Sequence, residues 1–285
     1  MQQHARACCV ISETAMTSFR LAAVGDNCID RFRPPLSRSY VGGNAVNVAV
    51  QLARLGHQSF YFGAIGRDID GGKVRRGLGE HGVSLDHLQE RDGNTAYTDI
   101  DVTPAGDRIF VHEDFGVCAG YRPDPAELKI LKTMDHVHIG WLDDGGALRH
   151  ALSAAGVSVS QDVSVNASAA DLEVEGLSIA FGSAGEDDAE AERIAADFLA
   201  RGARLAVVTR GGRGSLASDG REHASTGIRP VEVVDTTGAG DSFIAGFIAA
   251  RMEGRSLAEC LQAGRDLASL TCTHIGGFPQ APQPL

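Results

Sequence analysis

Val234-Asp235-Thr236-Thr237-Gly238-Ala239-Gly240-Asp241-Ser242-Phe243 is the stretch that decides how this chain is read. A β-rich lead-in, residues 230–234, runs into two glycines separated by one alanine, and a carboxylate follows. Beyond it Phe243 and Phe247, and Ile244 and Ile248, keep helical spacing. The segment therefore reads as a strand or loop feeding a tight turn at the N-terminus of a buried helix. Backbone N–H groups at such a turn converge on an anion, and the helix dipole adds to the attraction. Side chains at 238–240 would block that approach, so minimal residues suit the place. Asp241 is then a carboxylate held where negative charge collects, as a base taking a proton from an incoming nucleophile would be. The plain alternative is a glycine-rich helix start capped by an aspartate.

Outside this stretch, β-rich runs alternate with helical patterns. Strands are expected at 21–24, 60–65, 136–141, 157–163, 178–181 and 205–209. Helices are expected at 44–55, 71–81, 124–133, 144–155, 186–201, 242–252 and 256–274, with Gly56, Gly82 and Gly202 as C-caps. Continuous apolar strands alternating with helices predict an α/β fold, doubly wound, with a mainly parallel central sheet covered by helices on both faces. Two places break the rhythm. Residues 98–102 and 109–113 flank the turn Pro104-Ala105-Gly106-Asp107 as a polar β-hairpin, and 31–41 is a second extended polar stretch. These predict a small β-lid, from about 31–41 and 95–116, on a single domain over 19–285.

The chain of 285 residues can bury a substantial core, and 43% apolar with 22% charged residues is ordinary for a soluble globular protein. A net charge of −11 argues against a general nucleic-acid or anionic-membrane binder, although a nucleotide site needs only local donors and a metal. Cys8, Cys9, Cys28, Cys118, Cys260 and Cys272 form no CxxC pair, so reduced thiols in a cytoplasmic protein are expected. No apolar run approaches the ~20 residues that span a bilayer. Residues 1–18 lack a signal-peptide core, and Met16 reads as a second start; they are treated as an extension outside the fold.

Gly42-Gly43-Asn44-Ala45-Val46-Asn47-Val48-Ala49-Val50-Gln51 opens a helix apolar over most of its circumference, yet Asn44, Asn47 and Gln51 form one polar stripe. The stripe is either a solvent-facing edge or a ligand-facing one. Gly25-Asp26-Asn27-Cys28-Ile29-Asp30 follows the first strand, where α/β folds place binding loops. Gly212, Gly214 and Ala217 mimic a dinucleotide fingerprint, but Ser218-Asp219-Gly220 after them is a turn signal, so that reading fails. No Walker A sequence occurs. His136 and His138 alternate on a strand as a metal pair would, with no third ligand at a sensible spacing. Trp141 and Asp143, at a strand end, are weaker candidates for substrate contact, and the acids from Asp187 to Glu192 read as a solvated helix face.

The decapeptide resembles the signature of the ribokinase-like (phosphofructokinase-B type) carbohydrate kinases, Asp-Thr-x-Gly-Ala-Gly-Asp, at Asp235, Thr236, Gly238, Ala239, Gly240 and Asp241. The resemblance extends from about Leu21 to Pro279 and implies an ATP- and Mg2+-dependent sugar kinase. It makes Asp241 the base, with the N–H groups of Gly238, Ala239 and Gly240 on the phosphate charge. Gly42, Gly43 and Asn47 are similar to the family's sugar-binding Gly-Gly-x-x-x-Asn, with Asn44 beside them. Asp30 falls where the family keeps a carboxylate for two sugar hydroxyls, Asp26 being the alternative. Thr209, Gly211 and Gly214 resemble the nucleotide-binding Thr-x-Gly-x-x-Gly. Glu186 fits the acid of Asn-x-x-Glu, an outer-shell magnesium group, although Ser183 replaces the Asn. The family also implies a monovalent cation, K+, near Asp235 and Gly276, and a homodimer through the lid. Within the family, the runs at 25–30, 42–50, 107–110, 116–117 and 241–247 are most similar to members that phosphorylate the 6-hydroxyl of fructosyl amines such as fructoselysine. Kinases of ribose, another furanose or a nucleoside remain the alternative, with Tyr97, Phe110 and Phe115 as lid aromatics for a ring; an inactive sugar-binding regulator is a third.

Overall fold

The computed structural model describes residues 18–102, 108–166 and 168–285. Cys8, Cys9, Met16 and the hairpin turn at 104–107 lie outside the described residues. Strand β1 (Arg20–Val24) shows why the centre is a buried sheet: Leu21 and Ala23 enter one hydrophobic cluster, and Ala22 and Val24 enter another on the opposite face. The first half continues as β2 (Cys28–Phe32), β3 (Arg38–Gly42), α1 (Asn44–Arg54), β4 (Gln58–Gly66), α2 (Ile69–Glu80), β5 (Leu88–Arg91), β6 (Tyr97–Val102) and β7 (Arg108–Asp114). Then come α3 (Pro125–Leu131), β8 (His136–Ile139), α4 (Ala147–Ala154), β9 (Val159–Asp162), β10 (Ile179–Ser183), α5 (Asp188–Ala200) and β11 (Ala206–Thr209). The last elements are β12 (Ser215–Ser218), β13 (His223–Thr226), α6 (Ala239–Met252), α7 (Leu257–Thr271) and β14 (Gln283–Pro284).

Nine strands pair in the order β13-β12-β11-β10-β9-β8-β1-β4-β5, parallel from β11 to β5, with β12 and β13 antiparallel at one edge. Helices α1, α2, α6 and α7 supply the core on one face, and α3, α4 and α5 that on the other. This is the doubly wound arrangement expected. The chain builds outward from β1 to β4 and β5, then returns to β8 on its other side. A crevice therefore opens at the carboxyl ends of β1 and β8, the switch point where such folds bind ligands.

Several boundaries differ from the sequence reading for local reasons. Helix α6 starts at Ala239 and not at 242, because Gly238, at φ 72, turns the chain as the N-cap. Helix α5 starts at Asp188 and not at 186, because Asp187 accepts the Glu190 N–H at 3.0 Å. Helix α4 starts at Ala147 because Asp144 takes the N–H groups of Gly146 and Leu148, at 2.9 and 2.7 Å, in a turn of its own. Gly56, Gly82 and Gly202 do take positive φ just past α1, α2 and α5. Residues 230–234 form a loop, and β12 and β13 went unpredicted because their short, small and polar sequences carry little periodicity.

A second, five-stranded sheet pairs in the order β14-β3-β2-β6-β7. It is tied to the core through α2. Arg31 of β2 reaches Asp70 at 2.5 Å while its guanidinium lies 3.7 Å from the centre of the Tyr97 ring. Lys73 joins Asp70 at 2.8 Å and donates to Ser39 Oγ and to the Pro284 carbonyl, at 3.0 and 2.9 Å.

Helices α6 and α7 approach so closely that a Cβ on Gly246 would lie 2.7 Å from the Ala263 carbonyl oxygen. Gly246→Val is expected to lower stability by ~1–3 kcal/mol through overpacking. A urea unfolding midpoint equal to that of the parent would refute the close approach.

Candidate active site

The crevice is organised by Asp26, in the turn after β1. Its carboxylate accepts the backbone N–H groups of Asn44 (2.8 Å), Ala45 (3.2 Å) and Trp141 (3.2 Å). It thus caps α1 and ties down the end of β8. Burial raises its pKa, and the three N–H groups oppose that shift. Asp30 lies instead on β2, where its Oδ2 would be 3.3 Å from a Cβ on Gly42. The two candidate carboxylates are therefore unlike in kind: Asp26 is committed to backbone, and Asp30 borders the glycine pair from the second sheet. At Gly43, φ is 103 and a Cβ would lie 2.6 Å from Asn27 Cα, so only glycine fits beside that loop.

The polar stripe of α1 faces inward. Asn44, Asn47 and Gln51 are all buried, which removes the reading of a solvent-facing edge. Asn44 Nδ2 donates to Asp241 Oδ1 at 2.7 Å and to Asp162 Oδ2 at 3.0 Å. Asn47 Nδ2 donates to Asp241 Oδ2 at 2.6 Å, and Gln51 ties α1 to Ser242, Thr271 and the Gly277 carbonyl. Asp241 keeps some surface toward the crevice but is crowded by protein on its other sides. Desolvation pushes its pKa up to about 7; the Asn47 and Asn44 amides oppose this, and the charges of Asp162 and Asp26 add to it. Each carboxylate oxygen has a second lone pair, so a hydroxyl can still donate to it.

The turn before α6 is braced from behind. Asp235 accepts from the Thr237 N–H (2.9 Å) and the Gly276 N–H (2.8 Å), which brings the two segments expected near a cation together. Across Gly238 the loop is so near that a Cβ would lie 2.3 Å from Gly277 Cα. The Ala239 N–H donates to the Thr236 carbonyl at 3.2 Å and closes the turn. Over Gly240, by contrast, a Cβ would meet no protein atom within 4 Å. The helix N-terminus thus opens onto free space there, a cradle that suits a phosphate and that a side chain would fill.

A second group of candidates gathers at the ends of β10 and β11. Thr209 Oγ1 donates to the Gly182 carbonyl at 3.4 Å. Glu186 is exposed in the loop before α5 and packs over the Gly211–Gly212 turn, its Oε1 3.0 Å from where a Gly212 Cβ would stand. Gly214, at φ 90, turns against the Thr226 carbonyl. Strand β9, which ends at Asp162 of the Asp241 group, pairs directly with β10, so both groups line the same row of strand ends.

Two weaker candidates are engaged in the structure. Asp143 accepts from the Gly120 N–H and from Arg122 at 2.9 Å, and Trp141 stacks on Phe115 with ring centres 4.1 Å apart. Asp162 was missed by the sequence reading. Its signal was a carboxylate closing an otherwise strand-like run at a carboxyl end. His136 and His138 hydrogen-bond serines and Asn44, and no group of three or more His, Cys, Asp or Glu side chains arranged to hold a metal ion occurs among the described residues. No helix among the described residues is long and apolar enough to cross a membrane.

The family follows from comparison with known proteins. The chain is 34% identical over 260 residues to a fructoselysine 6-kinase of Escherichia coli, covering 90% of this chain and 99% of that one. It is 32% identical over 268 residues to a fructosamine kinase of Bacillus subtilis, covering 91% and 93%. The fold superposes on an Arabidopsis thaliana ribokinase solved with ribose and ATP, with a TM-score of 0.80 at 24% identity, covering 93% and 96%. The sequence model of the pfkB family of carbohydrate kinases matches residues 19–284, and this chain belongs to that family of sugar kinases.

Proposed function

We propose that this kinase transfers the γ-phosphoryl group of Mg-ATP to the 6-hydroxyl of a fructosyl amine such as fructoselysine, with Asp241 as general base. The observation that carries the reaction is Asp241 itself, a carboxylate with a pKa of about 7, clamped by two amides at the start of a helix that opens onto free space. The two relatives matched over nearly their whole length support the acceptor. In this reading Asp30 accepts from sugar hydroxyls, the backbone of Gly42 and Gly43 lets the sugar approach, and Asn47 and Asn44 aim the base. The N-terminus of α6 at Gly238, Ala239 and Gly240 faces the charge that spreads over the transferred group.

Thr209, Gly211 and Gly214 line the nucleotide side. Glu186 would help to hold the magnesium of Mg-ATP, which would supply neutralisation of phosphate charge, and Asp235 with the Gly276 region would hold a potassium ion beside the turn. The five-stranded sheet acts as the lid that keeps water from the phosphoryl group. In this reading the enzyme works in the cytoplasm, where ATP is supplied.

Asp241→Asn should lower kcat by roughly 10²–10⁴-fold with sugar binding mostly retained. In the parent enzyme kcat/KM should fall about tenfold per pH unit below the base's pKa of about 7, because only the ionised carboxylate takes the proton. Near-normal turnover of Asp241→Asn, or a rate flat between pH 5 and 8, would remove Asp241 from the role.

The acceptor is tested at fixed Mg-ATP by comparing kcat/KM for fructoselysine with free fructose, ribose and a nucleoside. Fructoselysine should be used best. Equal or better use of ribose or a nucleoside would reject the substrate while leaving the kinase intact.

Strand β7 is the outer edge of the lid sheet, and its Ile109, Phe110 and Val111 are exposed by 51%, 70% and 45%. An apolar edge strand of this kind pairs with another chain, and a second copy is the partner we propose. Light scattering after size exclusion should give a dimer that Phe110→Asp converts to a monomer; a monomeric parent protein overturns this assembly.

A further inference from the structure

Beneath Asn44 lies a line of buried polar side chains that the reaction, as described, does not use. His136 and His138 project from the same face of β8, and Ser158 and Ser160 meet them from the neighbouring strand. His136 Nδ1 is 2.9 Å from Ser158 Oγ, and His136 Nε2 is 2.7 Å from Ser160 Oγ. His138 Nδ1 is 2.9 Å from the same Ser160 Oγ, and His138 Nε2 is 3.4 Å from Asn44 Oδ1. Both rings are almost wholly buried.

The direction of every bond in this line follows from donor and acceptor chemistry together with the burial of both rings. The Asn44 Nδ2 group meets two carboxylates and must donate, so Oδ1 is the end that meets His138. A carbonyl oxygen only accepts, so His138 Nε2 carries a hydrogen. Burial pushes the pKa of His138 down to about 3 and that of His136 to about 4, so both rings are neutral. His138 Nδ1 is therefore bare and accepts from the Ser160 hydroxyl. That spends the one hydroxyl hydrogen, so Ser160 Oγ accepts from His136 Nε2–H, and His136 Nδ1 accepts from Ser158. The line runs one way, Ser158 to His136 to Ser160 to His138 to Asn44, and ends at Asp241.

We propose that His138, oriented by Ser160 and His136, is a positioning residue that keeps Asn44 a donor to Asp241 at every stage of the reaction. Once Asp241 has taken a proton it becomes a donor itself, and an unrestrained amide would turn over to offer it Oδ1. That turn would stabilise the protonated carboxyl, raise its pKa and leave less of the base ionised at neutral pH. His138 Nε2–H holds Oδ1 away, and Asp162, the other acceptor of the same NH2 group, resists the turn from its side. The charged groups facing Asp241 are Asp162 from the end of β9 and Asp26 from the turn after β1; α1 presents only the amides of Asn44 and Asn47. This inference rests on Asp241 being the base.

The test is the acidic limb of the kcat/KM profile against pH. His138→Phe frees Asn44 and should move the limb upward by about one pH unit, the scale of one hydrogen bond to a charged group, with sugar KM little changed. His138→Gln, whose side-chain amide can donate in place of the imidazole, should bring the limb back. Ser160→Ala, which leaves the ring but releases its tautomer, should move the limb the same way by less, and it serves should His138→Phe fail to fold. Asp162→Asn removes a negative charge facing the base and should move the limb downward, an opposition that general loosening of the site would not produce. Profiles of His138→Phe and Ser160→Ala that superimpose on the parent's, with Asp241→Asn inactive, overturn the positioning role and leave the base in place. Activity retained by Asp241→Asn overturns the base itself.

Discussion

The carboxylate of Asp26 is the constraint on which the rest of this site depends. Buried charge is costly unless it is hydrogen-bonded, and here three backbone N–H groups from two elements supply the bonds. The same bonds satisfy donors at the start of α1 that would otherwise be orphaned next to the crevice. They fix where α1 begins and therefore which of its side chains point at α6. Shift that start by one residue and the helix rotates by about 100°, which carries Asn44 and Asn47 off Asp241 together. A single aspartate after the first strand thus sets the aim of two amides on a carboxylate more than two hundred positions later.

The site is built by placing three acids near one another and letting amides keep them apart. Asp26, Asp162 and Asp241 all have raised pKa values, each chiefly from burial. Were Asp241 surrounded only by apolar groups, it would be protonated at neutral pH and useless as a base. Were it fully hydrogen-bonded, it would be too weak a base to take a hydroxyl proton. Two amides set against two neighbouring charges leave it near the middle, where proton transfer in either direction is easiest. The helix N-terminus favours the ionised form as well, and in the proposed reaction it would serve an incoming phosphate by the same means.

Much of this was legible in the chain. The Gly238–Ala239–Gly240–Asp241 turn and the alternation of strand and helix carry their physics locally, because a glycine-rich turn or an apolar strand depends on few distant partners. The stripe of Asn44, Asn47 and Gln51 was visible as periodicity, but not its direction, because the sequence does not say which neighbour covers that face. Asp162 and the His136–Ser160–His138 line were not legible for a related reason. Each looks like an ordinary polar residue in a strand until β8, β9 and α1 are brought together. The boundaries of α4, α5 and α6 moved because single side-chain or φ choices at Asp144, Asp187 and Gly238 overrode the apolar period that marks a helix.

The attachment of the lid follows from where its bonds fall. At one edge, β14 pairs with β3, and the Gln280 side chain bonds both the N–H and the carbonyl of Val41, at 2.8 and 2.7 Å, as a neighbouring strand would. Val41 precedes the glycine pair, and Gln280 follows closely on the Gly276–Gly277 loop that braces the turn before α6. The tail thus runs as a strap from the turn before α6 to the glycine pair before α1. Arg31 and Lys73, both on Asp70, hold the middle of the same sheet to α2. Toward β7 the side chains are exposed. In the proposed reaction a swing of the sheet about β3 would leave Gly42 and Gly43 nearly fixed while the β6–β7 end travels. Such a hinge, laid beside the proposed sugar-binding residues, would let the sheet open without disturbing the amides that hold Asp241.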